Sequence, residues 1–431
     1  MRELAEVSRP ETVSIPGTAF SAETAGVVRA RLGEAIPEMI EAIAAGVPGD
    51  AGRARPDYKQ RLADAVTGAV ACFIAHVAGP DQSTKAIMTE FRAIGGAAAR
   101  EGRTLDALQD ALRLGARVAW RWLCEADAGL DRRELSRVGE AVFAYLDELA
   151  AACAQGYAEA RVQAAGDRQR RLLGAIVSDP PPRAELVASL ARAAAWVVPA
   201  RVAVVVLGGR QQDGLVLPPG VLADWTGPEP CLLVPDPDGP GRQAALDRAL
   251  SDRAPGDRAP GDRAPGDRAP GDRAQRGRPA AIGPSVPLAR AAQSLRWARH
   301  ALALARAGVI PAGPIRCEEH LSTLLILADE DLAAALRARR LAPLARLRPA
   351  QRDRIAETLL AWLQLGENAA EVAQRIHVHP QTVRYRMRQI HELFGDQLRD
   401  QDRRFELQLA LRIRTLSASA CQAKTPGRRG G

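Results

Sequence analysis

Arginine and glutamine side chains are concentrated between residues 380 and 394, in the stretch PQTVRYRMRQIHELF. Arginine can donate two hydrogen bonds to guanine O6 and N7, and glutamine can pair in the same way with adenine N6 and N7. The chemistry that these residues offer is therefore hydrogen bonding to DNA. We expect Gln381, Tyr385 and Arg388 to meet base edges and Arg384 and Arg386 to meet phosphates. The complete set of candidate DNA-binding residues is Gln381, Thr382, Arg384, Tyr385, Arg386, Arg388 and Gln389.

Three helices with helical apolar spacing would hold these side chains in place. Asn368 is suited to cap the start of the second helix, and Gly366 is suited to end the first with a left-handed residue. The order predicts a helix-turn-helix whose last helix is the recognition helix. Its apolar positions are, helix by helix, Ile355, Leu359, Trp362 and Leu363; Ala369, Val372, Ala373 and Ile376; and Val383, Met387, Ile390 and Phe394.

Residues 355–413 resemble the C-terminal DNA-binding domain of PucR/CdaR-type bacterial transcription regulators. The first part of the pattern is carried by Gly366, Asn368, Ala373, Ile376, Val378, His379, Thr382, Val383, Tyr385, Arg386 and Met387. The trailing part is carried by Gly395, Leu398, Asp400, Arg404, Leu407, Leu409, Ala410 and Leu411. One position departs from the family, because Gln381 stands where the family usually has asparagine. The longer amide shifts the reach of the side chain, so the operator sequence cannot be carried over.

Composition agrees with a multidomain protein that binds a polyanion. The 431 residues allow roughly two to four domains, and the net charge is 59 − 51 = +8, of which 14 − 9 = +5 lies in residues 351–431. The first residues lack an apolar core, and the longest aliphatic run, 202–207, is too short for a bilayer, so we expect a cytoplasmic protein without a membrane segment. No C-x-x-C pair occurs, and His377 and His379 lack a third ligand nearby, so we expect neither a disulfide framework nor a metal or cofactor.

Residues 21–165 are predicted to form an all-helical unit, with helices over 27–43, 58–77, 83–100, from Thr104 onward, and 134–159. The stretches 95–122 and 143–157 resemble the N-terminal domain of RsbT co-antagonist proteins, which implies sensing or dimerisation. Arg117 and Arg121, one turn apart beside Trp120 and Trp122, could hold an anion. The sequence favours the alternative, in which they are solvated arginines beside core aromatics.

The middle of the chain is predicted to be an α/β domain. Strands are expected at 201–207, 231–234 and 280–282, and helices at 288–307, 318–327 and 331–340. Residues 282–305 and 317–344 resemble the degenerate GGDEF-like domain of CdaR-type regulators. The acidic signature of active cyclases is missing from the predicted hairpin at 235–242, so Asp236 and Asp238 are expected to be turn residues and not metal ligands. Four tandem copies of DRAPG at 252–271, followed by a truncated fifth at 272–274, predict a disordered insertion.

These observations predict a multidomain protein. The expected parts are an all-α sensory or dimerisation domain at 21–165, a helical connector at 166–195, a ferredoxin/GGDEF-like α/β domain at 196–345, an all-α helix-turn-helix domain at 350–415 and a disordered tail at 417–431. The predicted function is a non-enzymatic, sequence-specific transcription regulator that binds double-stranded DNA as a homodimer or higher homo-oligomer, with a possible small-molecule effector. The alternative is a signalling scaffold or nucleotide-binding protein that acts through protein partners.

Overall fold

The computed structural model describes residues 20–46, 57–79, 84–125, 129–209, 215–251, 279–311, 313–366 and 368–423. The chain divides into two compact units between Asp167 and Arg168. The DRAPG repeat lies outside the described residues, as does Ser83, the first residue of one predicted helix.

The first unit is all helical, as predicted. Its helices are α1 (Ala22–Gly46), α2 (Tyr58–Ala78), α3 (Lys85–Arg100), α4 (Leu105–Cys124) and α5 (Arg132–Ile176), of which residues 168–176 belong to the second unit. Thr104 caps α4, with its hydroxyl accepting a hydrogen bond from the amide of Ala107 at 3.3 Å. α5 is much longer than the predicted 134–159, and it includes residues 166–176, the first part of the segment expected to be a separate connector.

Two glycines allow α3 and α5 to approach closely. A Cβ atom placed on Gly95 would lie 2.0 Å from the carbonyl oxygen of Cys153, and one on Gly156 would lie 1.9 Å from the carbonyl oxygen of Arg92. The Cys153 thiol also donates to the Phe91 carbonyl at 3.4 Å. Gly95 begins one of the two stretches that resemble the RsbT co-antagonist domain and Gly156 lies in the other, so a packing requirement accounts for part of that pattern.

The second unit contains a small mixed sheet followed by the helical head. Its elements begin with α6 (Ala184–Ala193), β1 (Arg201–Leu207), β2 (Leu222–Asp224), β3 (Cys231–Pro235), α7 (Arg242–Ser251), β4 (Ala280–Ile282), β5 (Val286–Pro287), α8 (Ala291–Arg306), β6 (Pro314–Arg316), α9 (Leu321–Ile326) and α10 (Glu330–Arg340). The strand order is β2-β3-β1-β4-β6, and β5 also pairs with β1. All pairs are antiparallel except β4 with β6. The three predicted strands are confirmed, whereas β2, β5 and β6 were not predicted.

Both faces of the sheet are buried, which explains the unbroken apolar run in β1. Val204 and Val206 face a core formed with α8, whereas Val205 and Leu207 face a smaller core formed with α7. Ser294 of α8 is also buried. Its hydroxyl accepts from the Val204 amide at 3.0 Å and donates to the Pro284 carbonyl at 2.9 Å.

The head consists of α11 (Pro349–Gln364), α12 (Ala369–Arg375), α13 (Pro380–Phe394) and α14 (Gln401–Ala423). α14 enters the segment expected to be a disordered tail, so residues 417–423 are helical. Packing accounts for this difference, because Ile413 lies in the core of the α/β part and Ser417 accepts a hydrogen bond from Arg337 of α10 at 3.2 Å. Residues 424–431 lie outside the described part of the chain.

Candidate nucleic-acid interface

The predicted inner face of α13 is confirmed. Val383 and Ile390 are fully buried, and Met387 and Phe394 are nearly so, in a core shared with α11 and α12. This core fixes the rotation of α13 about its axis. The remaining faces of the helix are therefore defined without reference to any ligand.

The turn between α12 and α13 is held by backbone conformation and by a histidine cap. His377 adopts a left-handed conformation with φ of 53°, which lets the chain reverse within the three residues 376–378. His379 then caps α13, because its Nδ1 atom accepts a hydrogen bond from the Gln381 amide at 3.3 Å. Pro380 follows at the first position of the helix, where no amide donor is needed. The pair His377 and His379 thus has a structural role in the turn.

The start of α12 and the end of α11 match the sequence expectation. The Asn368 carboxamide oxygen accepts from the Ala370 amide at 3.0 Å, and its nitrogen donates to Glu371 at 2.9 Å. Gly366 has φ of 66°, the left-handed conformation expected after α11. Both signals could be read from sequence because they depend on neighbouring residues alone.

The outward face of α13 presents polar side chains to solvent. Gln381, Arg384 and Arg388 are exposed, and Tyr385 has 55% of its surface exposed. The Arg388 guanidinium carbon lies 5.8 Å from the centre of the Tyr385 ring, which is within cation–π range. Gln389 is half-buried, and its amide nitrogen donates to the Tyr385 hydroxyl at 3.0 Å. Tyr385 therefore connects two neighbouring hydrogen-bonding side chains on this face.

Two of the predicted DNA-binding residues are less exposed than the others. Thr382 is half-buried near the start of α13. Arg386 is also half-buried, and its Nη1 atom donates to the Thr358 hydroxyl on α11 at 3.0 Å. Thr358 is fully buried and in turn donates to the Arg354 carbonyl at 2.8 Å. Arg386 thus links α13 to α11, and Thr358 is a supporting residue that sequence reasoning missed.

Arg117 and Arg121, which the sequence suggested could hold an anion, do not form a shared site in the structure. Glu38 of α1 accepts hydrogen bonds from Trp122, at 2.7 Å, and from Arg121. These two bonds lower the pKa of the Glu38 carboxyl, Trp122 contributing most. Trp120 packs against the helical core and Arg117 is exposed. The alternative of solvated arginines beside packed aromatics describes this region better.

The two middle-domain carboxylates behave as turn residues. Asp236, with φ of 42°, accepts from the Arg201 amide at 3.2 Å, and Asp238 accepts from the Ser285 hydroxyl at 2.5 Å. The segment leads from β3 into α7, so the hairpin expected at 235–242 is wrong. A neighbouring pocket has a volume of only about 30 Å³. Among the described residues no group of three histidine, cysteine or acidic side chains is placed to hold a metal ion.

Among the described residues, one helix, α2, is both long enough and apolar enough to cross a membrane. In the structure, however, Val70, Phe73 and Val77 of α2 lie in the core of the first unit. Its apolar character is therefore used in packing against the other helices.

The geometry defines a class of protein first: a DNA-binding fold of the helix-turn-helix type, joined to a small mixed sheet and accompanied by an all-helical unit. Comparison with protein families then narrows the class. Residues 18–176 match the PucR-like N-terminal domain, and residues 355–413 match the PucR C-terminal helix-turn-helix domain. The chain belongs to the PucR/CdaR-type regulators, as its sequence predicted.

A search of solved structures found a similarity to the "Regulator of Polyketide Synthase Expression from Bifidobacterium adolescentis". The identity is 19%, the alignment covers 59% of this chain and 92% of that one, and the TM-score is 0.27. At this score we draw no conclusion from the likeness. Comparison with curated protein sequences gave no match.

Proposed function

We propose that this protein is a sequence-specific transcription regulator that acts in the cytoplasm without catalysing a reaction. The observation that supports it best is the outward face of α13, where Gln381, Tyr385 and Arg388 are held by a helix whose opposite face is buried. An α-helix fits the major groove, and these side chain types can address base edges.

Individual roles follow from position on the helix. We propose that Gln381, Tyr385 and Arg388 meet bases, with Thr382 and Gln389 supporting them at the edges of the same face. Arg384 is exposed and neutralises a phosphate. For Arg386 the hydrogen bond to Thr358 adds a second role to phosphate contact, which is to fix α13 against α11.

The remaining parts of the chain are proposed to regulate this head. One helix-turn-helix head buries a small interface, so we propose that two chains pair and meet half-sites about 34 Å apart. The helical unit is proposed to sense a signal or to mediate this pairing. The α/β part is proposed to be a non-catalytic GGDEF-like domain.

The test is a binding selection on genomic fragments with the purified full chain at about 50 and 200 mM salt. Affinity should fall steeply as salt rises, because bound phosphates release counterions. One enriched motif is expected. Arg388→Ala should cost about 1–3 kcal/mol at one base position, whereas Arg384→Ala should weaken all sequences and flatten the salt slope by about one unit.

Arg113→Ala provides a matched control, because it removes the same charge from an exposed position on α4 where Arg113 pairs with Asp110. It should leave both the motif and the salt slope unchanged. Equal losses on every sequence for Arg384→Ala and Arg388→Ala would overturn the separate roles. A selection that enriches no motif would overturn sequence-specific regulation.

The scaffold or nucleotide-binding alternative has less support. Small-molecule pockets usually occupy about 300–1,000 Å³, whereas the pocket beside Asp238 and Ser285 in the middle domain, where the nucleotide would bind, offers about 30 Å³. A scaffold would also leave the basic outward face of α13 without a use.

A further inference from the structure

The helices of the first unit surround a cavity of about 400 Å³. Its lining is mainly apolar and includes Met39, Val66, Phe73, Phe91, Leu112 and Leu149. Pockets for small molecules usually occupy about 300–1,000 Å³. The volume of this cavity is therefore that of a binding site.

The two polar groups that α5 contributes to the wall are already hydrogen-bonded within the protein. The Tyr145 hydroxyl donates to the Ala69 carbonyl at 3.0 Å, and the Cys153 thiol donates to the Phe91 carbonyl at 3.4 Å. Burial raises the pKa of both groups, so both stay neutral near pH 7. The interior consequently suits an apolar body, since a polar ligand group there would find few free partners.

Helix α2 contributes much of the apolar wall of the cavity. Most of its apolar side chains are half-buried, among them Leu62, Ala65, Val66 and Ala69. Six of its apolar residues line the cavity: Leu62, Ala65, Val66, Ala69, Val70 and Phe73. An apolar molecule in the cavity would cover this face.

Two arginines on the lining mark a polar end. Arg103 lies 3.1 Å from Glu101, whereas Arg61 approaches Glu101 only to 3.5 Å and Asp57 only to 3.6 Å. Charge-assisted hydrogen bonds are normally about 2.7–2.9 Å long, so Arg61 holds its partners loosely. Its side chain is also 45% exposed and can turn towards a new carboxylate. A third charged lining residue, Glu90, is exposed to solvent.

We propose that the cavity binds an apolar carboxylic acid of roughly a dozen non-hydrogen atoms, with its carboxylate held by Arg61. The size follows from about 30 Å³ per water-sized group. The proposal deepens the sensory role given above to the helical unit and rests on it. Binding itself is measured without DNA, so the two can fail separately.

The experiment titrates decanoate into the full chain by calorimetry, below the concentration at which decanoate forms micelles. Saturable binding of one decanoate per chain is expected, and butanoate should bind at least tenfold more weakly because it leaves most of the cavity empty. Absence of saturable decanoate binding would overturn the proposal.

Two variants locate the site. Ala111→Phe on the lining should weaken decanoate at least tenfold by filling the cavity, whereas Ala151→Phe at an exposed position of α5 should change it less than twofold. Equal losses would overturn the location. Arg61→Gln should weaken decanoate about tenfold and 1-decanol less than twofold, and it requires no change in the apolar core. An equal effect on both probes would overturn the role of Arg61.

The outcomes separate this inference from the proposed function. A protein that enriches an operator but does not bind decanoate refutes the ligand site alone. A protein that binds decanoate but enriches no DNA motif refutes the regulatory function alone.

Discussion

The hydrogen bond between Arg386 and Thr358 is a contact on which the placement of the recognition helix depends. The Thr358 hydroxyl accepts from Arg386 at 3.0 Å and donates to the Arg354 carbonyl at 2.8 Å. Thr358→Val removes the hydroxyl and keeps the branched shape. Arg386→Met removes the guanidinium and keeps an unbranched apolar stem.

The expected loss can be worked out from burial. A hydrogen bond to a charged group contributes about 1.5–3 kcal/mol net. Thr358 is fully buried but Arg386 is half-exposed, so water can replace part of what the arginine loses. We therefore expect each single variant to lower the stability of α13 by about 1.5 kcal/mol. The double variant should lose about 1 kcal/mol less than the sum, because the contact can be lost only once.

Hydrogen exchange of the α13 amides in the full chain measures this local stability without requiring both units to unfold together. Thr89→Val is the matched control, because the Thr89 hydroxyl donates to the Lys85 carbonyl at 2.8 Å within α3. It should leave α13 exchange unchanged. Additivity of the Thr358 and Arg386 variants within about 0.5 kcal/mol would refute the coupling. The salt slope of DNA binding by Arg386→Met then reports phosphate contact separately, at about 0.9 per phosphate.

Further predictions concern backbone conformation, helix packing and thiol chemistry. Gly366→Ala should destabilise the head by about 1 kcal/mol through its φ of 66° alone, since nothing lies within 4 Å of the new Cβ. Gly174→Ala has equally open space around the new Cβ but lies inside α5, so it should stabilise the protein by about 0.5–1 kcal/mol. Urea unfolding of the two variants measures both changes. Gly156→Ala should force α3 and α5 apart and lower the thermal midpoint of the first unit, which near-ultraviolet circular dichroism would record; an unchanged midpoint would contradict the close approach. Burial raises the pKa of Cys317 to about 12, so its labelling by iodoacetamide at pH 8 should be far slower than that of exposed Cys124, as peptide mass spectrometry would detect. Because the pKa is raised from about 9 on folding, the stability that Cys317 contributes is complete below pH 9 and is lost as pH rises towards 12, and stability that increased over this range would contradict the burial.

The head was predictable because its signals are local. The inner face of α13, the Asn368 cap and the left-handed Gly366 each depend on residues within a few positions of one another. The hydrogen bond from Arg386 to Thr358 joins residues 28 positions apart and needs the packed arrangement of two helices. From sequence, a threonine among the apolar positions of α11 carried no such signal.

In the middle part, β1 and β3 were predicted from their apolar runs and the three-residue β4 was also predicted, but three other short strands were missed. The seven residues of β1 form a continuous apolar run, whereas β2, β5 and β6 have three, two and three residues. β2, β5 and β6 form because β3, β1 and β4 offer them hydrogen-bonding partners. Their formation therefore depends on the assembled sheet and not on their own sequences. The cavity in the first unit was equally hidden, since an amphipathic pattern shows which side chains face inward but not whether they meet.

The boundary of the predicted helical connector was drawn at a charged segment that lies inside α5. Residues 167–171 contain four charges and suggested a connector, yet Leu172, Leu173 and Ile176 are buried in the core of the second unit and keep α5 helical to its end. Arginine and glutamine are also good helix formers. From sequence, the helix predicted at 134–159 and the helical connector that follows it could not be recognised as one continuous helix.

α14 belongs to two cores within the second unit, and this limits how a signal can reach the DNA-binding face. Leu407 and Leu411 pack in the head with α13, whereas Ile413 packs in the core of the α/β part. The ion pair between Arg340 and Glu406 adds a polar contact between α10 and α14. Since a helix does not bend sharply without a proline, a glycine pair or a bulge, a change in the α/β part either moves the head with it as a rigid body or breaks the contact of α14 with one of its two cores.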